Sequence, residues 1–155
     1  MIRRRDCGLT AVELVVVITV IGIAAAVTVP ALLRTGRNDL LARCEANLKA
    51  LREAEIAYRA TGAAAPSERG GAYWERIAAA AKLKLDVLVC PLGHGRYRGP
   101  GVDPATLPSH FPICADAPGS HGPGEGGNVL LKTGEVRAIR ERDSLWQFAA
   151  ERLAP

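Results

Sequence analysis

The sequence predicts an α+β fold: a long N-terminal transmembrane-and-rod helix packed on a small antiparallel sheet. Three observations carry this expectation. Residues 14–33 are 20 consecutive uncharged and mostly apolar positions. Beyond Gly36 the pattern becomes amphipathic and runs on to Ala60. Near the C-terminus, "NVLLKTGEVRAI" (128–139) places two Val/Leu/Ile-rich runs across Lys132-Thr133-Gly134, the composition of a β-hairpin.

The first element is the apolar run. About 20 residues suffice for a helix to cross a hydrocarbon core about 30 Å thick, so this segment can span a bilayer. Arg3, Arg4 and Arg5 precede it and Arg34 and Arg37 follow, an asymmetry that weakly favours a cytoplasmic N-terminus and a body on the far side. An Ala-x-Ala-like site at Ala24–Ala26 allows the alternative of a removable secretory signal. One residue disturbs the apolar pattern: Glu13. A carboxylate at depth in a bilayer costs about 2.5–3.5 kcal/mol on insertion scales, so such a residue is usually kept for a partner. A bland alternative is that Glu13 snorkels to the interface.

The leader and its surroundings read "RRRDCGLTAVELVVVITVIGIAAAVTVP" (3–30), with Gly8 and Leu9 before the run, Glu13 at the fifth position counted from Leu9, Gly22 at the fourteenth and Pro30 at the twenty-second. This resembles the class III leader of type IV pilins and type II secretion pseudopilins. Leu9 stands where Phe is usual, and Ala11-Val12 replace the commoner Leu-Ile. The resemblance covers residues 3–60. It implies cleavage by a prepilin peptidase after Gly8 and N-methylation of Leu9. Glu13 would then pair with the Leu9 ammonium of a neighbouring subunit and set the axial stagger of a filament. Gly22 and Pro30 make 22–30 the weakest stretch of the helix, read either as a local kink or as a region that loses helicity on assembly.

The rod follows. Leu41, Cys44, Leu48, Leu51, Ala54 and Tyr58 recur every three or four residues, with Arg43, Glu45, Lys49, Arg52, Glu53 and Arg59 on other faces. "TGAAAPSERGG" (61–71) ends it with glycine, proline and polar residues. The divisions expected are a leader at 1–8, a transmembrane and assembly helix at 9–33, an amphipathic rod at 34–61 and a globular head at 62–155.

In the head, a second helix is expected over Ala72–Lys84, with Tyr73, Trp74, Ile77 and Ala81 inward. "LDVLVCP" (85–91) reads as a short buried strand or extended segment halted by Pro91. Residues 91–127 hold most of the prolines and glycines of the chain, so little regular structure is expected there. After them come the hairpin and a closing helix, "DSLWQFAAERL" (143–153), with Asp143 or Ser144 as N-cap and Leu145, Phe148, Ala149 and Leu153 as its apolar stripe. "DAPGSHGPGEGGNVLLKTGEV" (116–136) resembles the end of a subset of pseudopilin-like proteins carrying P-G-x-H, a Gly-rich loop and N-V-L-x-x-D-G-x-V, with Thr133 in place of the Asp.

The four cysteines, Cys7, Cys44, Cys90 and Cys114, are too scattered for a dense disulfide framework. Cys90 and Cys114 flank the Pro/Gly-rich stretch, and a disulfide between them, closing about 23 residues, would contribute roughly 3 kcal/mol. The spacing Cys90-x3-His94 and His110-x3-Cys114 also suits zinc. Cys44 lies on the apolar stripe of the rod and reads as a small core residue. His121 with Asp116 and Glu125 raises calcium or general-base chemistry, against the plainer reading of His121 as a hydrogen-bonding loop residue; no recognised loop of oxygen ligands is present. No Ser/His/Asp order or phosphate loop is found, so no enzyme is expected, and no cofactor beyond the calcium or zinc possibilities. The net charge of +4 is concentrated partly in the leader, and "GRYRGPG" is too sparse in aromatics for nucleic acid.

The functional expectation is a structural subunit of a type IV filament or type II secretion-like pseudopilus, anchored in the inner membrane with a periplasmic head. Its partners would be prepilin peptidase, other pilin or pseudopilin subunits, an inner-membrane assembly platform and, before assembly, the lipid bilayer. The alternative is a monomeric membrane-anchored periplasmic binding module that keeps a pilin-like anchor.

Overall fold

A computed structural model describes residues 10–155. Helix α1, Ala11–Ala60, is continuous over 50 residues and carries Pro30 within it. Its start is a capping box: the Thr10 backbone N–H donates to Glu13 Oε2 at 2.8 Å, and the Glu13 N–H donates to Thr10 Oγ1 at 3.2 Å. Along the apolar half, the hydroxyls of Thr19, Thr28 and Thr35 donate to the carbonyls of Val15, Ala24 and Ala31 four residues back. These three hydroxyls are thus satisfied within the helix. The helix ends where Gly62 adopts a left-handed φ of 76° and its N–H bonds back to Arg59 O.

The chain divides into two compact units, one ending at Asn38 and one comprising Asp39–Pro155. In the first, none of residues 11–38 is buried, and Val12, Leu14, Ile18, Ile23, Val27 and Leu33 are all largely exposed. This half of α1 is long and apolar enough to cross a membrane.

In the second unit, α1 lays Cys44, Leu48, Leu51 and Ala54 into a core shared with Tyr73, Trp74, Ile77 and Ala78 of α2 (Gly71–Ala80). The rod stripe is as expected from periodicity, with Leu41 and Tyr58 half-buried at its ends and one addition, the fully buried Glu55. Helix α2 is shorter than the sequence suggests. Lys82 takes a left-handed φ of 54°, and the N–H groups of Lys82 and Leu83 bond back to the carbonyls of Ala79 and Ala78, the pattern of a Schellman cap. Residues Leu85–Leu88 are then a 3-10 turn rather than the expected strand or extended segment.

Five short strands follow in two antiparallel sheets. Strand β1 (Gly99–Pro100) pairs with β5 (Leu153–Ala154). Strand β2 (Pro112–Ala115) pairs with β3 (Gly127–Leu131), which pairs with β4 (Val136–Ile139). The β3–β4 hairpin occupies the expected residues and turns at Gly134, φ 94°. Helix α3, Ser144–Arg152, is capped by Asp143, whose carboxylate accepts the Leu145 N–H at 2.8 Å. Its most buried side chains are Trp146 and Ala149, while Leu145 and Phe148 are only half-buried.

Strand alternation divides the core. Leu130 of β3 faces the α1/α2 cluster, whereas Val129 and Leu131 face a second cluster with Trp146, Ala149 and Leu153. Strand β3, the centre of the three-stranded sheet, is therefore covered on both faces, which is why all five of its residues are buried. This α+β arrangement is compatible with a pilin-like fold.

Candidate functional site

Four side chains from distant parts of the sequence meet inside the head. Cys44 comes from α1, Cys90 follows the 3-10 turn, Asp116 extends β2, and His121 lies in the Gly/Pro-rich loop before β3. One potential ligand atom from each lies within 4.8 Å of every other. The Cys44, Cys90 and Asp116 residues are buried, and the His121 imidazole is 6% exposed.

Local structure explains the convergence. The Cys90 N–H and C=O bond to Gly95 O and the His94 N–H, closing a tight loop over 90–95. Gly93 of this loop touches the 117–122 turn: a Cβ on Gly93 would stand 1.9 Å from Ser120 O. Only glycine permits that approach, and it brings the Cys90 and His121 loops together. Asp116 is set by the sheet, since its N–H donates to Asn128 O at 3.0 Å and its Oδ2 accepts the Asn128 N–H at 2.6 Å.

The geometry centres on His121 Nε2, which lies 2.9 Å from Asp116 Oδ2, 3.4 Å from Cys90 Sγ and 4.0 Å from Cys44 Sγ. Cys44 Sγ is 3.2 Å from Asp116 Oδ1, and the Tyr97 hydroxyl donates to Cys44 Sγ at 3.3 Å. Hydrogen bonding to Asp116 and Cys90 favours the imidazolium and raises the His121 pKa to about 9. The Cys90 thiol is lowered by the hydrogen bonds from Cys44 and His121; Cys44 is raised by its bond to Cys90, by burial and by the Asp116 charge. This is not a relay triad. Such a relay uses both ring nitrogens, one for the nucleophile and one for the carboxylate, whereas here Cys90 and Asp116 face the same nitrogen.

The sites expected from sequence fare unequally. Cys90 and Cys114 are not joined: Cys44, Cys90 and Cys114 are all free thiols. Cys90 turns its sulfur to His121, while Cys114 is wholly buried in the core, where burial and the nearby Asp116 charge push its thiol pKa up. The mirrored zinc set of Cys90, His94, His110 and Cys114 is not gathered. His94 is exposed at a left-handed φ of 54°, and His110 is exposed with its ring tilted against Phe111. Of the Asp116, His121 and Glu125 group, the first two meet in an ion pair and Glu125 is exposed. Two sulfurs and one nitrogen around a single carboxylate are poor ligands for calcium.

Glu13 is exposed in the first turn of α1, and Gly22 and Pro30 are exposed within the helix, with nothing within 4 Å of where a Gly22 Cβ would be. Gly8 and Leu9, the expected processing site, and Cys7 lie outside the described residues. Sequence reasoning placed Cys44 in the core but did not connect it to Cys90, Asp116 and His121. The available signal was P-G-S-H (118–121), which singled out His121, together with a cysteine on the buried stripe of the rod. No protein family, curated protein or solved structure matches the chain.

Proposed function

We propose that this chain is a pilin-like filament subunit, a pseudopilin or minor pilin, whose precursor is cut after Gly8 and whose N-terminal helix is its assembly element. The observation that carries the reading is α1 itself. Its first half exposes an uninterrupted apolar surface around a single acid, and its second half is the spine of a small α+β head. An apolar surface of that extent needs a covering, and lipid before assembly and the same helix of neighbouring subunits after it supply one in turn. In this reading the apolar half lies in the inner membrane and the head in the periplasm until the assembly platform draws the subunit into a filament.

Glu13 provides the test, because two roles can be separated at it. Within the chain it closes the capping box with Thr10, a role glutamine also fills. In a filament it would neutralise the Leu9 ammonium of a neighbour, which glutamine does not. Glu13→Gln should therefore leave helix content and membrane insertion unchanged but reduce sheared filament as strongly as Glu13→Ala. Wild-type assembly by Glu13→Gln overturns the charge-pairing role and favours the monomeric anchored module. Processing is checked independently by mass spectrometry: the mature chain should begin with N-methylated Leu9, and a terminus near Ala26 overturns it.

A further inference from the structure

We propose that Cys44, Cys90, Asp116 and His121 form a closed tetrahedral zinc site that fastens the Asp39-onward part of α1 to the sheet of the head. His121 Nε2 faces an Asp116 carboxylate oxygen and two sulfurs, and Cys44 Sγ in turn faces both carboxylate oxygens, so the four potential ligand atoms are mutual neighbours. Four electron-rich atoms converging away from water are stabilised by a cation between them.

The spacing suits such an ion. Zinc bonds of about 2.0 Å to nitrogen or oxygen and about 2.3 Å to sulfur make a tetrahedron whose edges are roughly 3.3–3.8 Å. With Asp116 Oδ2 as the oxygen ligand, four of the six separations are 2.9, 3.4, 3.5 and 4.0 Å and bracket those edges, and the other two lie within 4.8 Å, so modest side-chain adjustments complete the polyhedron. The donor set of two sulfurs, one imidazole nitrogen and one carboxylate oxygen is borderline in softness, which suits zinc and disfavours calcium and magnesium.

Groups behind the ligands are arranged to support an ion. Tyr97 donates to Cys44 Sγ, and the Asn128 N–H fixes the Asp116 carboxylate. The buried Asn128 Nδ2 has no partner at hydrogen-bond distance. Such outer contacts orient metal ligands and tune their basicity. With four protein ligands and almost no exposure, no position is left for water or substrate, so the site is structural rather than catalytic. Binding is not a redox step: the cysteines coordinate as thiolates, His121 coordinates as neutral imidazole, and the displaced protons pass to solvent.

The test uses the full chain in detergent, purified with zinc in the medium and dialysed against metal-free buffer. Elemental analysis should find about one zinc per chain. Replacement by cobalt should give the sulfur-to-cobalt charge-transfer band and intense visible bands of tetrahedral thiolate coordination. Cys90→Ser and His121→Ala should each lose most of the bound metal, whereas the double variant His94→Ala/His110→Ala should retain it. The wild-type cobalt spectrum keeps the proposal testable even if a ligand variant fails to fold. Absence of zinc and of thiolate bands in the wild type overturns the proposal, as does a Cys44–Cys90 disulfide found by non-reducing peptide mapping. Retention of zinc by both ligand variants overturns it too. None of these outcomes bears on the assembly role of Glu13.

Discussion

The Glu55 carboxylate has no exposed surface and accepts hydrogen bonds from Arg52 at 2.5 Å, Arg59 at 2.9 Å and the Tyr73 hydroxyl at 2.9 Å. Arg59 also reaches Asp103 at 2.5 Å, so one network ties the end of α1 to α2 and to the 3-10 turn at Pro104–Thr106. Glu55→Ala should lower stability by roughly 3 kcal/mol, the low end for breaking a buried pair because both arginines keep access to water. The urea midpoint followed by tryptophan fluorescence checks this, since Trp74 packs edge-on against Tyr73. At Asp103, burial opposes ionisation, but the Ala105 N–H and the Arg59 guanidinium outweigh it and hold the carboxyl below its ordinary value of 3.8. A depressed folded value contributes stability above pH 3.8 that is lost as pH falls through the folded pKa. Because the pair is partly exposed, that contribution should be under about 1 kcal/mol. Comparing Asp103→Asn with wild type across an acid titration measures it: the difference should be constant at neutral pH and vanish in strong acid. Neither role was legible in the sequence. Glu55 stands next to Ala54 on an otherwise apolar stripe, and its Tyr73 partner lies 18 residues away in another helix.

Elements with strong internal signals were readable. The long helix announced itself by composition and period, the β3–β4 hairpin by its turn residues, and α3 by Asp143. Strand β2 was not readable, because it is four residues long and begins with Pro112, which brings no N–H to a ladder. It exists because β3 supplies a partner. The 3-10 turn reads in the sequence as a strand or extended segment because its apolar run is too short to show a period. Helix α2 stops at a left-handed Lys82, a conformation that costs a side-chain-bearing residue about 1 kcal/mol. Lys82→Gly should therefore stabilise the head by about 0.5–1 kcal/mol, read as a higher urea midpoint. The opposite sign is expected at Gly93, where any Cβ meets the Ser120 backbone. Gly93→Ala should destabilise by about 1–3 kcal/mol and part the loops that carry Cys90 and His121.

For the whole molecule, the α+β class and the order of helix, helix, hairpin and helix were legible, whereas the central cluster was not. Its members lie in four segments, and a single sequence carries no record of which segments touch. The two compact units have opposite surface character: residues 11–38 bury nothing, whereas Asp39–Pro155 encloses both hydrophobic clusters. A chain beginning at Asp39 should accordingly stay folded, with the near-ultraviolet circular dichroism of the full chain's head. It should also run as a monodisperse species in buffer without detergent. Size-exclusion chromatography distinguishes this from aggregation, the outcome expected if the head needs the upstream helix.

Cys44 precedes Asp116 by 72 residues and His121 by 77. A ribosome adding about 5–20 residues per second would complete that interval in several seconds. Until then the side of the Cys44 thiol that meets Asp116 and His121 in the finished head has no strand or loop to cover it. The β3–β4 hairpin closes quickly from neighbours in sequence, and α1 can meet α2 early, but the sheet-facing side of α1 is covered only once the last third of the chain is made. The interior of this protein is thus sealed late, and the newborn chain is most open to oxidants during its own synthesis.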